Sequence, residues 1–257
     1  MNQEPIAIPA EAPRPNPAPW GLLGTIAWGA AGICAWFIVQ FGVIIGFIAW
    51  HNAVEPGSAD LGKMASDGFL LAFVTIMAAP AWIGVSVFAA RWRGWSARSY
   101  LALIPPRRGE VLFGIAALAA LLIGFDIFTY LIGRDVVPSF MVEAYKSART
   151  SNSLVLFFIA VVIVAPISEE VAFRGFLFRG LAASWLGVSG TLIATSAAWA
   201  AMHVQYDTFT LAQIFLIGLL LGWIRWASGS TLLTIGLHML ANLAACTQAA
   251  LKVEWLS

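Results

Sequence analysis

The chain has 257 residues, 60% of them hydrophobic and 11% charged, with a formal net charge of +1. A soluble domain carries roughly 25% charged residues, so a mean hydropathy of +0.85 describes a protein solvated mainly by lipid. The balanced charge and the lack of a dense basic run exclude a nucleic-acid binder. Cys34 and Cys246 both fall in apolar segments, which excludes a disulfide framework or a four-cysteine metal site.

Residues 1–20 contain six of the twelve prolines and no apolar run, which predicts a disordered Pro-rich tail. They lack the basic start and short apolar block of a cleaved signal peptide. An all-α, polytopic membrane bundle follows, because seven apolar segments succeed one another and no barrel-type alternation is present. The first, about 21–50, exceeds the ~20 residues a bilayer needs. The second runs about 68–90 and the third about 111–133. The fourth begins near Leu154 and continues to about Arg179. The fifth covers about 189–205, the sixth 209–226 and the seventh 231–251. An eighth span arises if the first divides or if 138–148 enters the membrane. Trp20, Trp50, Trp92, Trp95, Trp185 and Trp226 stand near segment ends, where an aromatic belt belongs.

Arg91, Arg93, Arg98, Arg107 and Arg108 crowd the link at 91–110, whereas the link at 51–67 holds Lys63 against Glu55, Asp60 and Asp67. The positive-inside rule places 91–110 and the N-terminus in the cytoplasm of an inner (plasma) membrane. Alternation puts the turn at 184–188 and the link at 226–230 there too, with the C-terminus outside. Trp223, Arg225 and Trp226 read as a snorkelling interface anchor, and Gly218 and Gly222 as a small-residue packing pair.

The polar residues inside these segments are few. Glu169 and Glu170 adjoin in the fourth, His203 lies in the fifth, and His238 in the seventh. A carboxylate at membrane depth needs a partner, a wet cavity or a chemical role. Glu170 and Arg174 are four residues apart in the favoured order for an ion pair, and Glu169 points about 100° away from Glu170. One acid is thereby neutralised while its neighbour faces elsewhere. Trp199 and His203 share a helix face, as do His238 and Asn242. Counting about 1.5 Å per residue from the cytoplasmic turns puts Glu169 and His203 roughly 24 Å deep and His238 roughly 12 Å deep. Asp126, in the third span, reads as part of a polar cavity or, in preference, as a bond to a neighbouring helix.

The Glu169-Glu170-x-x-x-Arg174, Trp199-x-x-x-His203 and His238-x-x-x-Asn242 blocks, in this order, resemble the CPBP family. These are the CAAX-processing and bacteriocin-related intramembrane proteases, also called Abi. The likeness covers about residues 150–250; one departure is Trp199, where the family usually has Phe. It divides the chain into the tail at 1–20, N-terminal helices and loops at 21–150, a catalytic core at 151–251 and a short tail at 252–257. It implies a membrane endopeptidase acting on a peptide or on a membrane-associated or lipidated protein. Glu169 and His203 would activate water, His238 and Asn242 would stabilise the oxyanion, and Glu170 with Arg174 would support the site, which opens to the cytoplasm.

Three alternatives remain open at this level. Glu169, His203 and His238 would form a two-histidine, one-carboxylate zinc site of a metalloprotease. The absence of a His-Glu-x-x-His helix and the place of Asn242 favour a mechanism without a cofactor. A proton-coupled transporter would show inverted repeats, and the sequence has none. A non-catalytic immunity or scaffold protein would show degraded motifs, and these are intact.

Overall fold

The computed structural model describes residues 17–54 and 61–255. The tail at 1–16, residues 55–60 and residues 256–257, on which the expectations of disorder and of an acidic external link partly rest, lie outside the described residues. Among the described residues every regular element is helical. In chain order these are α1 (Leu22–Val54), α2 (Leu61–Met64), α3 (Gly68–Trp92), α4 (Ala97–Tyr100), α5 (Arg108–Leu131) and α6 (Ser139–Thr150). They continue as α7 (Leu154–Ala182), α8 (Gly187–Ala201), α9 (Thr208–Ser228) and α10 (Thr231–Trp255).

Six of these, α1, α3, α5, α7, α9 and α10, are long and apolar enough to cross a membrane. The remaining expected span, the fifth, is α8, which has 15 residues. At about 1.5 Å per residue it is some 22 Å long, short of a ~30 Å hydrocarbon core. It stops at Ala201, so His203 lies in the turn beyond the helix rather than inside it. The first span does not divide: α1 is a continuous 33-residue helix. The 138–148 stretch is the 12-residue α6, too short to cross.

Hydrogen bonds lock the two ends of the bundle separately. At one end the Arg179 guanidinium donates to the Tyr100 and Ser99 carbonyls. There Thr231 Oγ1 also donates to Leu101 O at 2.6 Å, and Arg93 Nε donates to Ala18 O at 3.0 Å. Trp95 Nε1 reaches Pro17 O at 2.9 Å, so residues 17–20, expected within the disordered tail, are docked here. At the opposite end Arg134 pairs with Asp207, Lys252 with Asp135 at 2.9 Å and Arg149 with Glu254 at 2.9 Å. Ser147 Oγ there bonds Asp67, which caps α3.

Small residues allow the helices that carry the site to approach closely. A methyl group on Gly218 of α9 would lie 2.9 Å from Ser196 Cβ and 3.1 Å from the Trp199 ring on α8. One on Gly222 would lie 2.8 Å from Leu192. This pair therefore packs α8 on α9, as expected from the sequence. Arg225 departs from its expected role. It is only 6% exposed, and its Nε donates to Arg174 O and Thr231 Oγ1, each at 3.0 Å. It is an internal brace between α7, α9 and α10, while Trp223 and Trp226 remain exposed. Gly218→Ala should push Trp199 aside and lower stability by about 1–3 kcal/mol. Gly236→Ala, which meets nothing within 4 Å, should melt like the parent protein in detergent.

Candidate active site

The site is built around an irregularity in α7. This helix widens to a π-helical register over Ile159–Val164 and again over Val171–Leu177, and a regular turn between them carries Glu169 and Glu170. In the wide register each N–H bonds the carbonyl five residues back, as Ala165 N does to Ala160 O. The next donor would be residue 166, but Pro166 has no N–H, so the Val161 carbonyl loses its partner. Asn242 Nδ2 replaces it at 2.8 Å. One amide proton of Asn242 thus fastens α10 to the distorted turn.

The two acids have different surroundings. Glu170 is fully buried, and its Oε1 accepts from Arg174 Nη1 at 2.9 Å and from His238 Nδ1 at 3.1 Å. Arg174 is also fully buried. Its Nη2 donates to Gly218 O at 3.1 Å, and its guanidinium lies 4.7 Å from the Trp199 ring centroid. The ion pair expected from the spacing is present, and it has a third member, His238, that spacing did not reveal. Glu169 is 21% exposed and lines a cavity. Its Oε2 accepts from Trp199 Nε1 at 2.5 Å and stands 4.0 Å from His238 Nε2. Its partners therefore come from other helices, and Trp199 supplies a hydrogen bond that the usual Phe could not.

His203 also lines the cavity. Its Nδ1 lies 2.9 Å from Trp199 O. A carbonyl only accepts, so Nδ1 carries the proton and Nε2 of the neutral ring is free to accept one. In His238, Nδ1 faces the Glu170 carboxylate and Nε2 faces Glu169. The structure therefore gathers Glu169, His203, His238, Asn242 and Trp199 on one cavity wall, with Glu170 and Arg174 sealed behind it.

Zinc bonds of about 2.1 Å at tetrahedral angles hold ligand atoms roughly 3.4 Å apart, so the 4.0 Å between Glu169 and His238 is near that spacing. Among the described residues no group of three His, Cys, Asp or Glu side chains is placed to hold a metal ion. The ligand set of the zinc alternative, Glu169, His203 and His238, is thus not assembled in this conformation.

The cavity, about 310 Å³, runs from Glu169 and His238 past Asp126, Gln213 and Gln248 to Val136, Pro138 and Tyr206. A second cavity of about 300 Å³ shares Tyr206 and Gln213 with it and reaches the exposed Arg134–Asp207 pair. The site accordingly faces the end of the bundle opposite 91–110. This corrects the joint expectation that the arginine-rich link and the site opening lie on the same side. Residue counts along a helix measure depth, but they do not say toward which end the walls part.

Residues 151–244 match the family described as Type II CAAX prenyl endopeptidase Rce1-like, a peptide-hydrolase family. The match spans the residues that carry the resemblance to the CPBP family, from before Glu169 to just beyond Asn242. An Escherichia coli protein described as "Uncharacterized 24.3 kDa protein" is 32% identical over 134 residues, which are 50% of this chain. The matched region spans 59% of that relative's length. No solved structure matches the chain.

Glu170→Gln should lower stability by about 3–5 kcal/mol, because it leaves the Arg174 charge buried without its counter-ion. Adding Arg174→Gln should recover only part of this loss, since His238 Nδ1 stays without its carboxylate; thermal melting in detergent reads both. Trp199→Phe keeps the ring and removes the indole donor to Glu169. Loss of a hydrogen bond to a charged group should lower stability by about 1.5–3 kcal/mol, read by thermal melting in detergent.

Proposed function

We propose that the chain is an intramembrane endopeptidase that hydrolyses a peptide bond of a membrane-associated or lipidated protein or peptide, in the manner of CAAX processing. The observation that carries this reading is the division of labour between adjacent carboxylates. Glu170 is sealed and doubly bonded, whereas Glu169 faces a cavity beside two imidazoles. Peptide hydrolysis by direct attack needs an activated water, a proton acceptor and donors for the tetrahedral oxyanion. Glu169 polarises the water, and His203 accepts its proton at Nε2 and passes it to the leaving nitrogen. Asn242 has a second N–H beyond the one spent on Val161, and His238 donates from Nε2 as an imidazolium held by Glu170. Both act on the oxyanion from one face of α10.

A zinc-dependent variant has one observation in its favour. Both histidines commit Nδ1, to a carboxylate and to a carbonyl, and so leave Nε2 unbonded to protein, as metal-binding histidines do. Glu169, His203 and His238 would hold the ion, which would supply Lewis-acid polarisation of the water and the carbonyl.

For orientation, the positive-inside rule places the arginine-rich end in the cytoplasm of the inner membrane. The cavity then opens on the other face, where Asp135, Asp207 and Glu254 offset Arg134, Lys252 and Arg149.

Three measurements test this reading. Glu169→Gln should keep its melting temperature and lose at least ~10²-fold in peptide turnover; retained turnover would remove Glu169 from the chemistry. Protein free of zinc by elemental analysis should still cleave the peptide, whereas activity lost to chelator and restored by zinc alone would select the metal variant. In a Cys34→Ala background, Ser139→Cys should react with an impermeant maleimide in intact cells and Ala97→Cys only after lysis. The reverse labelling would put the cavity mouth in the cytoplasm.

A further inference from the structure

One partly exposed acid of the membrane-spanning helices has no part in the chemistry above. Asp126, on α5, lines the same cavity as Glu169, and its Oδ2 accepts from Gln248 Nε2 of α10 at 2.7 Å. The interhelical bond expected for Asp126 is therefore present, but its donor is a neutral amide. A carboxylate at this depth demands a compensating cation or water. The cavity wall holds Glu169 and Asp126 and no lysine or arginine; of its two histidines, His238 stands 4.0 Å from Glu169 and His203 bonds Trp199 O, so neither is the partner of Asp126. The basic groups nearest its mouth are already committed, Arg134 to Asp207 and Lys252 to Asp135. Thr75, Thr210 and Gln213 add polar surface to the wall, while Phe125, Phe140 and Ile214 supply apolar surface for a side-chain stem. The result is a concave, negative, partly apolar space that suits a long basic side chain.

We propose that Asp126, held by Gln248, forms a subsite for a lysine or arginine of a peptide lying extended along the cavity. Gln248 is ten residues beyond His238 on α10, which is about 15 Å along the helix. An extended chain advances about 3.3 Å per residue, so the basic residue falls four or five positions from the bond at Glu169. The register rests on the endopeptidase reading; the preference for a cation at Asp126 does not.

The test uses full-length protein in detergent and a peptide series carrying one lysine, or norleucine of similar length, at each position from one to six on either side of the bond. The wild type should favour lysine over norleucine about 10-fold in kcat/KM at the fourth or fifth position on one side only. Asp126→Asn, whose side chain still accepts from Gln248, should bring that ratio near one. Gln248→Leu removes the interhelical donor but leaves the carboxylate, and should keep the preference. Absence of any lysine preference, a preference that survives Asp126→Asn, or equal loss in both variants would overturn the subsite. Binding of labelled peptides to Glu169→Gln protein separates the two claims. Tighter binding of the lysine peptide that is lost with added Asp126→Asn upholds the subsite even if no peptide is cleaved, and equal binding of both peptides rejects it.

Discussion

Glu170, Arg174 and His238 meet behind the cavity wall, nearly or fully out of reach of solvent, and the rest of the site is arranged around their contact. Burying an isolated charge costs several kcal/mol, and a pair repays this only with good geometry and further hydrogen bonds. Here Arg174 adds the Gly218 carbonyl and the face of Trp199, and Glu170 adds an imidazole from α10. The three groups tie α7, α8, α9 and α10 at one point. Any helix that shifts by a fraction of a turn uncovers a charge. That constraint fixes where the neighbouring Glu169 points.

With Glu170 committed, the next residue along the helix turns about 100° and projects into the cavity. Its bond to Trp199 and its proximity to His238 orient a carboxylate that remains partly solvated. The widened turns of α7 contribute in a second way. Pro166 frees a carbonyl, Asn242 takes it, and α10 is thereby held with His238 and Asn242 on the wall beside Glu169. An apparent defect in the helix sets the register between α7 and α10, which carry three of the candidate residues. Gly218 and Gly222 let α8 lie close enough on α9 for Trp199 to touch both Arg174 and Glu169.

The sequence carried much of this. Apolar runs located the long helices, and their ends differ from expectation by only a few residues because lipid-facing and core-facing residues are equally apolar. The i to i+4 spacing of Glu170 and Arg174 revealed their pair, since that contact lies within one helix. Contacts between helices were not legible. Nothing in the spacing tells that Trp199 reaches Glu169, that His238 completes the Glu170 pair, or that Arg225 turns inward to the Arg174 carbonyl. Pro166 was a visible signal of an orphaned carbonyl, but its partner depends on the π register. His203 appeared helical because the apolar pattern continues past Ala201, where the helix ends. The direction of the cavity is hidden for a related reason: walls part where side chains from seven helices diverge, and a single sequence does not display that divergence.

The central claim is that Glu170 is a fixed anchor and Glu169 the group that works on the peptide. A structure of the protein with a peptide whose scissile carbonyl is replaced by a hydroxymethylene, a mimic of the tetrahedral state, tests it most directly. The account predicts the hydroxyl within hydrogen-bond reach of Glu169, about 2.6–3.2 Å, with Asn242 beside it and Glu170 still bonded to Arg174 and His238. A hydroxyl bound by Glu170, with the Arg174 contact opened, would contradict it.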